Sequence, residues 1–147
     1  MFDSILVVCI GNICRSPTGE RLLRQALPNK KIDSAGLGAL VGESANSIAA
    51  EVAAEHGLSL DGHCAQAFSS ELAMQYDLIL VMEKSHIERI KKSYPEVSGK
   101  TMLMGHWQNQ LEIGDPYKKS RDMYQLVYTQ LAQSTARWVL ALKKYLL

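Results

Sequence analysis

Apolar residues recur along this chain in two rhythms. Ile5-Leu6-Val7-Val8 is a continuous apolar run without polar alternation, the pattern of a strand covered on both faces. Asp77-Leu78-Ile79-Leu80-Val81-Met82 repeats that pattern most clearly, Lys30 to Ala35 reads as a short second strand, and Lys100 to Met104 as a fourth. Between these runs the spacing turns helical. Thr18 to Leu27 carries a stripe of Leu22, Leu23, Ala26 and Leu27; Ser16 suits its cap, Pro17 its first position and Pro28 its end. Ser47 is placed to cap a helix with Ile48, Val52 and Ala53 inward, and Gly57-Leu58 to stop it. Ser69 or Ser70 opens a short helix to about Tyr76. Ser85-His86-Ile87-Glu88 has the form of a capping box for a helix that runs through Ile90 and stops near Pro95. From Ser120 to about Tyr145, residues Met123, Val127, Leu131, Trp138 and Leu142 recur as the buried stripe of a long terminal helix.

Strands alternating with helices predict an α/β fold of three layers, a parallel sheet with helices on both faces. Active sites of such folds lie at the carboxyl ends of strands, which is where Cys9 follows the first run. No repeat, low-complexity tract or linker divides the chain, so 1–147 reads as a single domain, and 147 residues suffice for one substantial core. The apolar loop Gly36 to Gly42 reads either as core packing or as the wall of a pocket.

Composition narrows the function. Sixteen basic and fifteen acidic residues leave a net charge of +1, which speaks against a nucleic-acid protein or a polybasic membrane anchor. Any attraction for phosphate must therefore be local. Three cysteines in this length do not make a disulfide framework. Neither a secretory signal nor a membrane span is legible, so a reducing cytoplasm is the expected location. No Cys/His spacing resembles a metal site, and no cofactor is expected.

The chemistry concentrates in Cys9-Ile10-Gly11-Asn12-Ile13-Cys14-Arg15-Ser16-Pro17. A cysteine ends a strand, an arginine follows after five residues, and a helix opens at once. Successive backbone N–H groups in such a turn form an anion nest, and the helix N-terminus adds its dipole and free donors. Arg15 can grip two oxygens with its planar fork. The same field favours a thiolate at Cys9, since such surroundings lower a cysteine pKa to roughly 3.5–7.5. A thiolate beneath a bound phosphate is a nucleophile aimed at phosphorus. Asn12 suits a left-handed backbone. Asp115, in Asp115-Pro116-Tyr117, reads as a turn residue or as a general acid.

Cys9, five residues, then Arg15-Ser16 near the N-terminus, with Asp115-Pro116-Tyr117 downstream, resembles the low-molecular-weight protein tyrosine phosphatases over nearly the whole chain. The resemblance implies a four-stranded parallel sheet in order 2-1-3-4. It implies Cys9, Arg15 and Asp115 as catalytic residues, with a phosphocysteine intermediate. The Ser16 hydroxyl would donate to the thiolate. Ile10, Gly11, Asn12, Ile13, Cys14, Ser16, Leu40 and Tyr117 are implied as substrate contacts, with an aliphatic mouth from Ile10, Ile13, Leu40 and Tyr117. Asn12 would be braced by His63. Cys14 reads either as filler or as a redox guard of Cys9, and Cys64 as a buried spectator. The family often has a bulkier or acidic residue where Gly114 stands, an arginine at Gln66 and a second tyrosine at Lys118. Ser34 to Gly42 and Gly105-His106-Trp107 look most like the bacterial branch linked to capsule and exopolysaccharide export. There the partner is an autophosphorylating bacterial tyrosine kinase; a monomer or weak oligomer is expected.

Rival functions are a thiol-dependent arsenate reductase and a non-catalytic phosphate-recognition module. The first needs resolving cysteines downstream, and none follows Cys64. The second has no use for a thiolate or an acid. A phosphocarrier domain of sugar transport also uses a cysteine loop, but has little use for Arg15 or Asp115.

Overall fold

The computed structural model describes residues 2–146, with side chains through Lys144. Four parallel strands form one sheet in the order β2-β1-β3-β4, as the resemblance implied. They are β1 (Ser4–Cys9), β2 (Lys31–Gly36), β3 (Leu78–Val81) and β4 (Thr101–Leu103). β1 lies at the centre, in register from Ser4 opposite Lys31 to Cys9 opposite Gly36. Its side chains alternate between two cores. Ile5, Val7 and Cys9 face α1 (Arg15–Ala26) and α5 (Arg121–Leu146), while Leu6 and Val8 face the side carrying α3 (Ser70–Ala73) and α4 (Lys84–Ser93). A third cluster seats α2 (Ser47–Glu55) against Tyr124 and Tyr128 of α5 and against Cys14. Every side chain of β1 is buried, which explains why its sequence shows no polar alternation.

Three predicted helix starts move. The N-cap of α1 is Cys14, without a side-chain cap, and Ser16 sits inside the first turn with its hydroxyl on Cys9. The N-cap of α2 is Asn46, whose Oδ1 accepts from the N–H groups of Ile48 and Ala49 at 3.0 Å. α4 starts ahead of the expected box: its N-cap is Glu83, and His86 Nδ1 accepts from the backbone of Met82 and Glu83 at 3.3 Å. In α5 the first core residue is Tyr124, and Met123 is only half-buried. The segment Pro95–Lys100 forms a 3-10 turn that the sequence did not signal.

Gly19 lets α1 lie close to the sheet: a Cβ there would stand 3.2 Å from Val7 Cγ1. That proximity offsets its poor helix propensity, roughly 1 kcal/mol against alanine.

Candidate active site

The loop between β1 and α1 closes around a cavity of about 200 Å3 at the carboxyl end of the central strand. Its shape follows from where its carbonyls go. The carbonyl oxygens of Cys9, Ile10 and Gly11 accept from Leu37, Gly38 and Leu40 at 2.9, 2.9 and 3.1 Å. That of Asn12 accepts from His63 Nε2 at 2.6 Å, and that of Ile13 from the Asn46 N–H at 2.8 Å. Five successive carbonyls are thus drawn to one side. In a planar trans peptide the next N–H points the opposite way, so the N–H groups of residues 10–14 face away from these anchors, as an anion nest requires. The reversal needs a left-handed residue, and Asn12 supplies it with φ 58°. The apolar loop after β2 is therefore a wall of the pocket that also clamps the catalytic loop.

Cys9, Ile10, Gly11, Ile13, Cys14, Arg15, Gly38, Leu40, Asp115 and Tyr117 line the cavity. Cys9 is 2% exposed, and its sulfur lies 2.9 Å from Ser16 Oγ. The side chains of Asn12 and Ser16, both expected among the substrate contacts, lie beneath the loop, fully buried, and Asn12 belongs to the nest through its backbone N–H alone. The Asn12 amide donates to Ser16 Oγ at 2.8 Å and Ser34 Oγ at 3.0 Å, and its oxygen accepts from the Gln66 N–H at 2.9 Å. Gln66 also donates from Nε2 to the Ser34 carbonyl at 2.9 Å, so a neutral side chain ties this region together without the charge the family often has there. Cys64, expected buried, is exposed.

Arg15 is a buried cation held from behind. Its Nη1 donates to Glu83 Oε2 at 2.6 Å and to the Ile113 carbonyl at 2.9 Å. Its Nη2 stands 3.9 Å from Asp115 Oδ2. Glu83 follows β3, so adjacent strand ends bring it to the arginine. The sequence reading missed it; the position of a lone carboxylate at a strand's carboxyl end was the available signal. Beside it, His86 is pushed down to about 4 by burial first and the Arg15 charge second. It is neutral, with its Nε2 side 3.4 Å from Glu83.

Asp115 is half-exposed, and its Oδ1 accepts from the Tyr117 N–H at 3.0 Å, leaving Oδ2 toward Arg15. A Cβ added at Gly114 would meet only open space, but Ile113 and Pro116 on either side of the pair are buried, and the Ile113 N–H donates to the Met82 carbonyl at 2.9 Å. These two pegs fix the loop. The Cys14 thiol is pushed up to about 12 by burial first and by Cys9 second. Among the described residues no helix is long and apolar enough to cross a membrane.

A cysteine and an arginine in an anion-binding loop, faced by an aspartate on the α5 side of a 2-1-3-4 sheet, define a phosphate-ester site of known type. The chain belongs to the low molecular weight phosphotyrosine protein phosphatases, whose family model matches residues 4–146. It is 59% identical over 142 residues to the low molecular weight protein-tyrosine-phosphatase Wzb of Escherichia coli K12, covering 97% of each chain. It is also 59% identical over 144 residues to the probable phosphatase AmsI of Erwinia amylovora, covering 98% of this chain and all of that one. A crystal structure of the tyrosine phosphatase Wzb from Escherichia coli K30 in complex with sulphate matches with TM-score 0.95 and 57% identity, over 97% of this chain and 99% of that chain.

Proposed function

We propose that this chain hydrolyses protein phosphotyrosine in two steps through a phosphocysteine on Cys9. The observation that carries the reading is the convergence of Cys9, Arg15 and Asp115 on one nest-walled cavity. In the first step a Cys9 lone pair forms the S–P bond while the P–O bond to the phenol breaks, and the Asp115 carboxyl gives its proton to the leaving oxygen. The loop N–H groups and the free edge of Arg15 hold the equatorial oxygens as charge spreads over them. In the second step water attacks phosphorus, Asp115 takes its proton, and the thiolate leaves with the Ser16 hydroxyl donating to it.

Leu40 and Tyr117, both half-exposed, form with Ile10 and Ile13 an apolar mouth suited to an aromatic ring entering from a peptide. The sequence likeness of residues 34–42 and 105–107 to the capsule and exopolysaccharide branch supports a substrate of one kind. It is an autophosphorylating bacterial tyrosine kinase that governs export of these polymers. A cytoplasmic location goes with that partner.

The test is phosphate release from a tyrosine-phosphorylated kinase segment under reducing conditions, without added metal. Wild type is expected to turn over and Cys9→Ser to release none. Asp115→Asn is expected to lose roughly 10²–10⁴-fold in turnover of a phenolic ester. Phosphate binding without release by the wild type would refute hydrolysis and leave a recognition module.

A further inference from the structure

The two walls of the cavity mouth differ in charge. The wall that follows from β2, residues 36–42, reads Gly-Leu-Gly-Ala-Leu-Val-Gly and carries none. The facing wall is Asp115-Pro116-Tyr117, and Lys118 and Lys119 follow it at once, both exposed. Lys118 Nζ lies over the Tyr117 ring, 5.6 Å from its centroid, and Tyr117 itself lines the cavity.

Two features of Lys118 work against the fold. Its backbone is left-handed, with φ 62°, a conformation uncommon outside glycine, asparagine and aspartate. Its charge gathers with those of Lys119 and Arg121 just at the N-terminus of α5, where the helix dipole favours anions. Arg121 is compensated by Glu51 and Glu55. Among the described residues neither lysine is paired with a carboxylate. Local rules broken without a compensating contact, at the edge of a site, point to a ligand that supplies the missing partner. The Tyr117 face attracts the ammonium and holds it beside the mouth, with donors left over for that ligand.

We propose that Lys118 is a specificity-determining residue that recognises an anionic side chain next to the phosphotyrosine of the substrate. The inference rests on the phosphotyrosine hydrolase reading. The phosphoryl group in the nest is held by backbone N–H groups and Arg15, so Lys118 is free to read the flank. A substrate ring packed on Tyr117 brings the preceding or following residue, about 3.8 Å away along the peptide backbone, past the same ammonium. The anion is a carboxylate or a second phosphate, since an ammonium is a point charge that pairs with either.

The test uses the full chain, Lys118→Gln, Lys118→Glu and Lys118→Arg. Phosphotyrosine peptides differ only in the residue before or after the phosphotyrosine, which is glutamine, glutamate or phosphoserine. Mass spectrometry confirms which phosphate is lost. The reading is the ratio of kcat/KM between the anionic and the glutamine peptide within each variant, which cancels changes in folding or intrinsic rate. Wild type is expected to favour glutamate about 2–5-fold on at least one side, and phosphoserine more, with its charge near −2. Lys118→Arg should keep the preference, Lys118→Gln lose it and Lys118→Glu reverse it. At about 1 M salt, where the Debye length is about 3 Å, the wild-type preference should flatten. A preference for phosphoserine without one for glutamate would assign the anion as phosphate, and the converse as carboxylate; either supports the proposal. A wild type without preference would overturn it. So would a Lys118→Gln protein slower on every peptide with the wild-type ratio intact, which would reduce Lys118 to a prop for Tyr117. A wild type that releases phosphate from none of the peptides would sink the hydrolase reading instead. The flank preference is then judged on the same variants by fluorescence anisotropy of the labelled peptides.

Discussion

Gly36, the last residue of β2, stands beside the first residue of the catalytic loop. A Cβ built there would lie 2.3 Å from the Ile10 carbonyl oxygen and 3.1 Å from Ala39, where real Cβ atoms essentially never come within 3.0 Å. Gly36→Ala must therefore push β2 and the loop apart by about 0.7 Å. That movement works directly against the clamp, because the Gly38 N–H bonds the same Ile10 carbonyl at 2.9 Å and the Leu37 N–H bonds that of Cys9. Overpacking of this kind costs roughly 1–3 kcal/mol. At about 3 °C per kcal/mol for a chain of this size, the melting temperature should fall by roughly 3–9 °C. The larger effect falls on the chemistry, since a displacement approaching 1 Å at a reacting centre costs up to about 10²-fold. A loss of roughly 10–100-fold in kcat/KM is expected. Gly38→Ala is the control: its Cβ would meet only Ile10 Cγ2, at 3.5 Å, an ordinary contact. Thermal melting and initial rates on an aryl phosphate measure both effects. A Gly36→Ala protein indistinguishable from Gly38→Ala in rate and melting would refute the reasoning.

Two further outcomes follow from groups beside the site. His86 titrates near 4 in the folded chain against 6.5 as a free side chain, so the unfolded state binds the extra proton as pH falls between these values. Stability from this group is complete above about 6.5 and is lost as pH falls toward 4, amounting to roughly 2–3 kcal/mol. Unfolding free energies from urea titrations at about pH 7 and pH 4.5 should differ more in the wild type than in His86→Gln, by about that amount; equal pH dependence in the two would contradict it. Cys14, pushed up to about 12, should resist iodoacetamide at pH 7.5 while exposed Cys64 reacts. Peptide mapping after partial alkylation reads the order, and faster labelling of Cys14 than of Cys64 would defeat the assignment.

Apolar runs made β1 and β3 legible because burial on both faces leaves no room there for polar residues. The nine-residue loop was legible because its chemistry is local in sequence: one strand end, one turn and one helix start. Three of the five helix starts were not. Ser16, Ser47 and Ser85 all carry the cap-forming hydroxyl, yet the caps are Cys14, Asn46 and Glu83. A hydroxyl can bond its own helix or a neighbour, and local pattern does not decide between them; Ser16 goes to Cys9. Partners far apart in sequence were equally hidden. Glu83 meets Arg15 across sixty-eight positions, and Gln66 meets Asn12 across fifty-four. Both meetings follow from β2 and β3 lying on either side of β1, an order that periodicity does not encode.

The packing of α1 against α5 reaches beyond core filling. Arg15 opens α1, and Asp115 precedes α5 by a short loop pegged by Ile113 and Pro116. Both helices rest on the same face of the sheet, over Ile5, Val7 and Cys9. On the proposed mechanism, the two halves of the reaction, phosphorus capture and proton delivery, thus hang on the two arms of one caliper. Ile113 ties the two arms to the residue after β3, its N–H on the Met82 carbonyl and its carbonyl on Arg15. On that mechanism, catalytic alignment therefore depends on the helix seam and on the end of β3 together.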